Sequence, residues 1–495
     1  MKKPNILYIM SDDHAANSIS CYHSILSSVF RTPNLDRIAE EGIRMDRFYA
    51  TNAICAPARA TIMTGQYGQI NGVRTLDDRW DCCQGLNLAQ LMQDGGYTTA
   101  LFGKWHLGCE PGGFDEYKYL ETKTGNQQGT YQNPTFVEKG QRGYVCHQGY
   151  VTDIITDMTL DFLRNRDREK PFFVMCHHKA PHDFWEYPLR HEHMFDGVEM
   201  PEPDTLFEDR SHRSPASRDY GSSVTPRSKV RSLYKDFCCP SYVTGPLTGT
   251  ESMSFEEKGR AAYQKYLKDY LRTVAGIDDS VGAVLDELEH QGELDNTVVM
   301  YTSDQGMFLG EHDYQDKRWS FEESLRAPLM IRYPREIAAG STSDALAANL
   351  DIAPLILDFA GVEIPQAMQG RSFRNILRGC PGTHDRDHIY FRYWMHRAHC
   401  HDNPAHYGIR TRDYKLTFYY GLPLDASGAS EEVSPAGWEL YDLQKDPFET
   451  HNCYENPAYA NVIRELKEKL EAVKQQYDDT DDRYPQLMEL KQKTK

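Results

Sequence analysis

Short apolar runs alternate with longer segments of helical periodicity along the first two thirds of the chain. An apolar run of about four to eight residues between polar residues is typical of a buried strand, and its alternation with helices is typical of an α/β fold. The predicted strands are residues 5–10, 98–102, 171–176, 297–302 and 327–332. This pattern predicts a mainly parallel sheet flanked by helices.

The longest predicted helix covers about residues 256–291, where apolar side chains recur at helical spacing, and Gly292 is expected to end it in a left-handed cap. Between residues 202 and 254 the periodicity fades into Ser, Pro, Gly and mixed charge. Such a segment predicts a long loop or lid over one end of the sheet. We therefore predict one α/β domain over residues 1–379 that includes this loop.

The pattern changes after Gly379, where the apolar runs become typical of antiparallel strands. The predicted strands of this part are residues 388–394, 408–420 and 438–443. An amphipathic helix follows, with Asn456 as its cap and Pro457 at its first position. Residues 380–495 are thus predicted to form a smaller C-terminal α+β domain that contributes to the substrate pocket.

The chain is acidic, with a formal net charge of -18. It lacks the basic footprint that binding to nucleic acid or to an anionic membrane requires, so we expect neither partner. No window reaches the roughly 18 apolar residues of a membrane helix, and the apolar run before Asp12 is too short for a signal peptide. We expect a cytoplasmic protein, or a periplasmic or secreted one if a leader has been removed. The twelve cysteines follow no disulfide spacing and are expected to be reduced.

Polar side chains directly follow four of the predicted strands. They are Asp12 and Asp13 after the first, Lys104 and His106 after the second, His182 after the third, and Asp304 and Gln305 after the fourth. Ligands of open α/β sheets bind beyond the carboxyl ends of the strands, so we expect these side chains to meet in one site. Taken singly, each is compatible with a loop cap or a solvated turn.

Asp12, Asp13, Asp304 and Gln305 offer three carboxylates and an amide oxygen. Hard oxygen ligands of this kind suit Ca²⁺, with Mg²⁺ as a second choice, and they disfavour zinc. Adjacent aspartates would repel each other without a nearby cation. The alternative is an Asx turn that closes a strand.

Residues 55–65 read CAPARATIMTG, so that Pro57 and Arg59 follow Cys55 at fixed spacing. This segment resembles the maturation signature of type I sulfatases, in which a modifying enzyme oxidises the cysteine to formylglycine. The similarity covers most of the first 375 or so residues through the motifs DD, GKWH, PH, SDQG and KRWSFEES. Taken alone, Cys55 is also compatible with a buried structural thiol.

The resemblance implies the fold of the alkaline phosphatase superfamily and a sulfuric ester hydrolase. It also implies a maturation partner, either a formylglycine-generating enzyme or an anaerobic sulfatase-maturating enzyme. Three positions depart from the usual motifs: Ala58 stands where serine is frequent, Gln305 where Asn or His is frequent, and Asp183 where proline commonly follows the histidine. We expect the departure at Asp183 to affect substrate fit more than chemistry.

By the same resemblance, formylglycine made from Cys55 would lie on the metal as its hydrate, and Arg59 would hold it by hydrogen bonding. One diol oxygen would take sulfate from the substrate, and the second hydroxyl would later expel it. Lys104 and Lys317 would neutralise the sulfate oxygens, while the metal acts as a Lewis acid.

The resemblance further implies that His182, with help from Lys317, protonates the departing alcohol. His106 would assist the collapse of the sulfated residue, which returns the aldehyde and releases sulfate. His177 and His178 are expected to be packing or rim residues.

Residues 394–416 carry four histidines and several arginines ahead of a strand, a composition that suits binding of a sugar ring. Roughly the last 110 residues resemble bacterial N-acetylglucosamine-6-sulfatases. Arg397, Asn403 and His406 are therefore candidate substrate-binding residues, and His312 is a further candidate in the loop of the metal ligands. The alternative is that these histidines cover the joint between the domains.

The expected activity is hydrolysis of sulfate monoesters on carbohydrates, by exo-action on glycosaminoglycan or mucin fragments. The best-matching substrate is 6-O-sulfated N-acetylglucosamine. Two alternatives stay open: a phosphonate monoester hydrolase or phosphodiesterase of the same superfamily, and an unmatured protein that only binds sulfated glycans.

Overall fold

The computed structural model describes residues 2–121, 128–380 and 386–494. Residues 381–385, at the start of the predicted C-terminal domain, lie outside the described residues. In chain order the strands are β1 (Asn5–Ser11), β2 (Ile43–Met45), β3 (Phe48–Tyr49), β4 (Thr98–Gly103), β5 (Glu116–Leu120), β6 (Thr135–Glu138), β7 (Val145–Cys146), β8 (Phe172–His177), β9 (Thr297–Ser303), β10 (Phe308–Leu309), β11 (Gln315–Asp316), β12 (Leu329–Arg332), β13 (Ser341–Ser343), β14 (Ala347–Ala348), β15 (His388–Tyr393), β16 (His406–Thr411), β17 (Tyr414–Tyr419) and β18 (Gly437–Asp442). The α-helices are α1 (Pro33–Glu40), α2 (Cys55–Thr64), α3 (Gly68–Asn71), α4 (Leu88–Asp94), α5 (Val151–Asn165), α6 (Leu233–Phe237), α7 (Phe255–His290), α8 (Glu322–Leu325), α9 (Ile352–Ala360), α10 (Arg374–Leu377), α11 (Ala460–Gln476) and α12 (Pro485–Lys493).

Ten strands form the central sheet, in the order β13-β2-β12-β9-β1-β8-β4-β5-β6-β7. Its middle is parallel, because β1 pairs in parallel with β8 and β9, and β4 pairs in parallel with β8 and β5. Strand β12 runs antiparallel to both of its neighbours, and β6 does the same at the other edge. The predicted mixed, mainly parallel sheet is confirmed, and the five predicted strands are present with ends within two residues of those expected.

Both faces of the central sheet are covered by helices. Side chains of a strand alternate between its two faces, and in β1 the residues Ile6, Tyr8 and Met10 pack in one buried cluster while Leu7 and Ile9 pack in another. The first cluster includes residues of α2, α4 and α9, and the second includes residues of α1, α5 and α7. This two-sided burial explains why the central strands read as continuous apolar runs.

The long predicted helix is confirmed as α7. Ser254 begins it through a capping box with Glu257, in which each side chain accepts from the other residue's backbone N–H. Gly292 follows its end with a φ of 70°, as expected of a left-handed residue after a helix.

The C-terminal domain contains a four-stranded antiparallel sheet, in the order β15-β16-β17-β18, against which α11 packs. The predicted strand over residues 408–420 is wrong as a single strand, because it consists of β16 and β17 joined by a tight turn at Arg412 and Asp413. Thr411 closes this turn by accepting a hydrogen bond from the Tyr414 N–H at 3.1 Å. The apolar alternation continues on both sides of the turn, so the sequence pattern did not show the break.

The segment of residues 202–254 is irregular apart from α6 and a single 3-10 turn. It is anchored to both domains: Thr225 donates to Asp313 of the large domain at 2.7 Å, and Ser217 donates to Glu439 of the C-terminal sheet at 2.6 Å. A lid function for this segment stays a prediction.

None of the twelve cysteines, all of which lie in the described residues, forms a disulfide. Within the described part of the chain, every helix is too short or too polar to cross a membrane.

Candidate active site

The polar segments that follow β1, β4, β8 and β9 meet at the carboxyl edge of the central sheet. Backbone hydrogen bonds join the loops there: the Asp12 N–H donates to Ala180 O at 3.2 Å, and the Asp304 N–H donates to Ser11 O at 3.3 Å. Lys104 directly follows β4, whose parallel partner is β8. The geometry expected from the sequence, one site built from distant segments, is present.

Three aspartates form the floor of this site. Asp12, Asp13 and Asp304 each place a carboxylate oxygen within 4.8 Å of the other two. All three are buried, with at most 1% of the residue exposed. Burial, together with the charge of Asp12, raises the pKa of Asp304 to about 8. Three carboxylates in a buried space resist full ionisation unless a cation joins them.

Two buried oxygens of this floor have no hydrogen-bond partner among the described residues, namely Asp12 Oδ1 and Gln305 Oε1. The Gln305 amide nitrogen donates to Asp13 Oδ1 at 2.5 Å and lies 3.8 Å from Cys55 Sγ. Asp12 Oδ1 lies 3.6 Å from Arg59 Nη2, beyond hydrogen-bond distance. Carboxylate and amide oxygens are the ligands that Ca²⁺ and Mg²⁺ prefer. The donor set therefore fits a hard divalent cation.

Cys55 is the first residue of α2 and is 1% exposed. Its Sγ, an oxygen of Asp12 and a ring nitrogen of His182 all lie within 4.8 Å of one another. Pro57, in the first turn of the helix, removes a backbone N–H that would have no helical partner there. Burial and the charge of Asp12 raise the pKa of the Cys55 thiol, so the unmodified side chain is held neutral.

Arg59 lies one helical turn after Cys55, on the same face of α2. Its Nε donates to Asp304 Oδ2 at 3.0 Å, and its Nη1 donates to the carbonyl oxygen of Lys104 at 2.8 Å. The i, i+4 spacing in the motif thus brings a fixed cation beside the aspartates.

Two buried lysines flank the aspartates. Lys104 is ion-paired with Asp12, and the Nζ of Lys317 lies 2.6 Å from Asp13 Oδ2. Burial lowers the pKa of Lys317, but the charges of Asp13 and Asp316 outweigh it and hold that pKa well above its ordinary value. Two fixed cationic groups therefore lie at this site of an acidic chain, as binding of an anionic substrate requires.

His182 directs one ring nitrogen into the site and the other away from it. Its Nε2 lies 3.6 Å from Asp13 Oδ2, and its Nδ1 lies 2.7 Å from Asp183 Oδ1. The Tyr131 hydroxyl donates to the carbonyl oxygen of His182 at 2.5 Å, which holds the backbone.

His106 adopts a φ of 57°, a left-handed conformation that is uncommon outside glycine. Burial and the neighbouring Lys104 charge hold its pKa well below the ordinary value, so its imidazole is neutral. A neutral imidazole can accept a proton.

Two of the predicted substrate-binding residues are not brought to this site. His312 is buried, and its Nδ1 lies 2.7 Å from Glu208 and 2.9 Å from Arg213. His406 is also buried, and its Nδ1 faces the carbonyl oxygen of Pro404 at 2.9 Å. Both histidines are therefore engaged in contacts within the protein, and their role in substrate binding stays a prediction.

Asn403 and Arg397 are engaged in local contacts. The Asn403 amide accepts from Trp319 Nε1 at 2.7 Å and donates to the carbonyl oxygen of His401 at 3.1 Å. Arg397 is ion-paired with Asp402 at 2.6 Å and lines a cavity of about 900 Å³. Of these two side chains, Arg397 is the more accessible to a substrate.

Three titratable residues beside Lys317 were not predicted from the sequence. Asp316 lies 3.3 Å from the Lys317 ammonium, Arg318 Nε donates to Asp316 at 2.8 Å, and His401 Nδ1 lies 3.1 Å from the same carboxylate. Adjacency to Lys317 in the KRWSFEES motif was a signal for Asp316 and Arg318. No local signal distinguished His401 from the other histidines of its segment.

The chain matches known protein families over most of its length. Residues 4–362 match the family described as Sulfatase, and residues 310–476 match the family described as N-sulphoglucosamine sulphohydrolase, C-terminal. The chain is 40% identical to an N-acetylglucosamine-6-O-sulfatase of Bacteroides thetaiotaomicron, over 97% of this chain and 88% of the relative.

Solved structures agree with this assignment. One, of a protein in complex with its substrate D-glucosamine-2-N,6-O-disulfate, has a TM-score of 0.86 and 39% identity, over 97% of this chain and 99% of the other. A phosphonate monoester hydrolase from Silicibacter pomeroyi has a TM-score of 0.72 at 20% identity, over 96% of each chain, and that likeness shows the fold alone. The resemblance predicted from the motifs is confirmed: the chain belongs to the sulfatase family of sulfuric ester hydrolases.

Proposed function

We propose that this sulfatase removes the 6-O-sulfate group from glucosamine-type sugars, with 6-O-sulfated N-acetylglucosamine as its preferred substrate. The observation that carries the proposal is the similarity over nearly the whole chain to an N-acetylglucosamine-6-O-sulfatase and to a protein bound to a glucosamine disulfate. The sugar in the relative's name and the sugar bound in the solved structure share a glucosamine ring with sulfate at position 6. They differ at the ring nitrogen, which carries acetyl in one and sulfate in the other.

The nucleophile is proposed to be formylglycine made from Cys55 by a maturation enzyme. The oxygens of its hydrated aldehyde would take the place of the Cys55 sulfur, which lies within 4.8 Å of an Asp12 oxygen. Arg59 would hydrogen-bond this group while it holds Asp304.

A divalent cation, with Ca²⁺ the best match to the donors, is proposed to be held by residue 55 and by the oxygens of Asp12, Asp13, Asp304 and Gln305. The two unpartnered oxygens in this set support the assignment. When bound, the cation supplies Lewis-acid polarisation of the sulfate group.

Lys104 and Lys317 are proposed to bind the sulfate oxygens. Lys104 is ion-paired with Asp12, and Lys317 is ion-paired with Asp13. Their ammonium groups are buried and already oriented by ion pairs, so they need little reorganisation when negative charge spreads over the sulfate. Preorganised donors of this kind contribute strongly to catalysis.

His182 is proposed to donate its Nε2 proton to the leaving sugar oxygen, because that nitrogen faces the site. His106, which burial holds neutral, is proposed to accept a proton when sulfate is released. The reaction has two steps, one that needs a proton donor and one that needs a proton acceptor, and two separate histidines can supply them.

The test is a panel of defined substrates presented to protein carrying formylglycine at position 55. We expect sulfate release from N-acetylglucosamine-6-sulfate and from glucosamine-2-N,6-O-disulfate, with none from a 2-O-sulfated uronate. The opposite pattern would contradict the substrate proposal. An aryl phosphonate monoester in the same panel tests the phosphonate hydrolase alternative, which predicts faster turnover of the phosphonate than of any sulfate.

A further inference from the structure

Asp183 makes two contacts with the ring of His182. Its Oδ1 lies 2.7 Å from His182 Nδ1, and its backbone carbonyl oxygen lies 3.0 Å from the same nitrogen. Both groups are hydrogen-bond acceptors, so the Nδ1 atom carries a proton and donates. The ring is thereby held with its Nε2 atom toward Asp13 and Cys55.

The Asp183 carboxylate is held in turn by Arg231, whose Nη2 donates to Asp183 Oδ2 at 2.9 Å. Arg231 belongs to the irregular segment of residues 202–254, and its Nε donates to Asp236 of the same segment at 3.1 Å. Burial raises the pKa of Asp183, but the charges of His182 and Arg231 outweigh it and hold that pKa well below its ordinary value. Asp183 is therefore a carboxylate with one oxygen on the histidine and the other on a fixed cation.

The contact also explains a departure in the sequence. Where proline commonly follows the histidine of the PH motif, this chain has a residue whose side chain reaches back to that histidine. Proline offers no side-chain acceptor at this position. The departure therefore bears on the orientation of His182, and the expected effect on substrate fit stays a prediction.

We propose that Asp183, anchored by Arg231, is a positioning residue that aligns the His182 imidazole for proton donation to the leaving group. The inference rests on the proposed function, because it assigns a task to the histidine of that reaction. In the step, an oxygen of the hydrated formylglycine proposed at position 55 bonds to sulfur while the bond between sulfur and the bridging sugar oxygen breaks, and that sugar oxygen takes the Nε2 proton of the His182 imidazolium. The ring is left neutral with its proton on Nδ1, the tautomer that Asp183 accepts from.

Leaving-group dependence separates this role from a structural one. A sugar hydroxyl is a poor leaving group and needs protonation, whereas 4-nitrophenolate is a good one and leaves without it. We expect Asp183→Ala to lower kcat for N-acetylglucosamine-6-sulfate by about tenfold to a hundredfold, with KM within about twofold. Turnover of 4-nitrophenyl sulfate should fall by less than about threefold.

Asp183→Asn provides a variant of nearly unchanged shape. It keeps an acceptor for Nδ1 and loses the ion pair with Arg231, so kcat for the sugar ester should fall by less than in the alanine variant. The fall should again be larger for the sugar ester than for 4-nitrophenyl sulfate. A ¹⁵N-histidine NMR spectrum gives a readout independent of turnover: the downfield Nδ1–H resonance of His182 should be present in the parent and should shift upfield in Asp183→Ala, where only the backbone carbonyl oxygen is left to accept.

Asp236→Ala is the matched control, because Asp236 also binds Arg231, is about as exposed as Asp183 and makes no hydrogen bond or ion pair with His182. We expect both activities of this variant to stay within about threefold of the parent. Equal losses on both esters in Asp183→Ala, or a downfield resonance that does not shift, would overturn the positioning role while leaving the sulfatase proposal intact. Absence of sugar-sulfate turnover by the matured parent protein would overturn both proposals.

Discussion

Charged side chains are buried both at the carboxyl edge of the large sheet and beside the C-terminal sheet, but their pairing differs. In the C-terminal domain both oxygens of Asp479 accept hydrogen bonds, one from Arg392 and one from Tyr390. Asp481 is likewise ion-paired with the buried Lys474. All four oxygens of these two carboxylates have hydrogen-bond donors within the domain.

At the edge of the large sheet the pairing is incomplete. Asp12 Oδ1 and Gln305 Oε1 have no hydrogen-bond partner in the described chain, and the pKa of Asp304 is raised to about 8 by burial and by Asp12. Buried carboxylates whose oxygens all accept hydrogen bonds can serve the fold, whereas a buried cluster with acceptors that receive none suits the binding of a ligand. The two regions thus illustrate a structural and a functional use of buried charge.

The largest effect is expected at the nucleophile. Cys55→Ala in the matured preparation should lower kcat for the sulfated sugar at least about a thousandfold, because no other side chain can take its place in covalent catalysis. Sulfate release measured by ion chromatography checks this. Cys176→Ala is the control, since Cys176 is also fully buried but lies in the core of the sheet. Unchanged activity in Cys55→Ala would contradict the assignment, and a protein that binds glycans without turnover in either form would favour the binding alternative.

The second prediction concerns the buried charges of the C-terminal domain. Asp479→Asn removes the charge that pairs with the buried Arg392 and should lower the free energy of unfolding by about 3–5 kcal/mol. Because neither side chain makes a hydrogen bond or ion pair with the aspartates of the floor, kcat per folded molecule should stay within about twofold. Urea unfolding and kinetics are measured in parallel. Asp425→Asn, which breaks the exposed pair with Arg74, is the control and should cost less than about 1 kcal/mol. A loss of kcat in Asp479→Asn without a loss of stability would contradict a structural role for this charge.

Removal of divalent cations should affect the active-site region alone. Chelation is expected to abolish turnover, and Ca²⁺ at about a hundred times its Kd should restore it and stabilise the fold by about 2.7 kcal/mol. Thermal unfolding with and without Ca²⁺ provides the measurement. In an Asp12→Asn/Asp304→Asn variant the cation should no longer raise the unfolding temperature. Full activity after exhaustive chelation would contradict the metal assignment.

The smallest effect concerns the pH dependence of the cation-free protein. The pKa of Asp304 is raised in the folded state to about 8 from its ordinary value of 3.8, so the folded state binds more protons between these values. The stability that this group contributes is present below about pH 4 and is lost as pH rises through about 8. When the pH is raised from about 5 to 8, the free energy of unfolding of Asp304→Asn should therefore fall by at least about 1 kcal/mol less than that of the parent. Identical slopes for the two proteins in denaturant titrations across that range would show that Asp304 does not titrate there.

Local patterns in the sequence carried much of the fold and part of the site. Strands buried on both faces leave continuous apolar runs, so their ends, and the polar residues Asp12, Lys104 and Asp304 just beyond them, were found correctly. The spacing of Cys55 and Arg59 was informative because a helix turns the two onto one face. The hairpin at Arg412 was missed because apolar alternation is the same before and after a tight turn.

Other features depend on segments far apart in the chain. Histidine is a residue type that suits a sugar-binding surface, yet His312 and His406 are both buried against neighbours that no local pattern identifies. The contact of Asp183 with Arg231 joins residues 48 positions apart, one of them in a segment without periodicity.

By itself, the sequence determined the family and the positions of the main strands along the chain, and it predicted the side chains that are proposed to bear the chemistry, because these follow from short-range periodicity and from motifs of fixed spacing. Only the tertiary structure decided which oxygens have no partner, which histidines are buried and which ring nitrogen of His182 faces the site. Burial and hydrogen-bond pairing are properties of the packed chain, since each depends on neighbours that folding brings from elsewhere in the sequence.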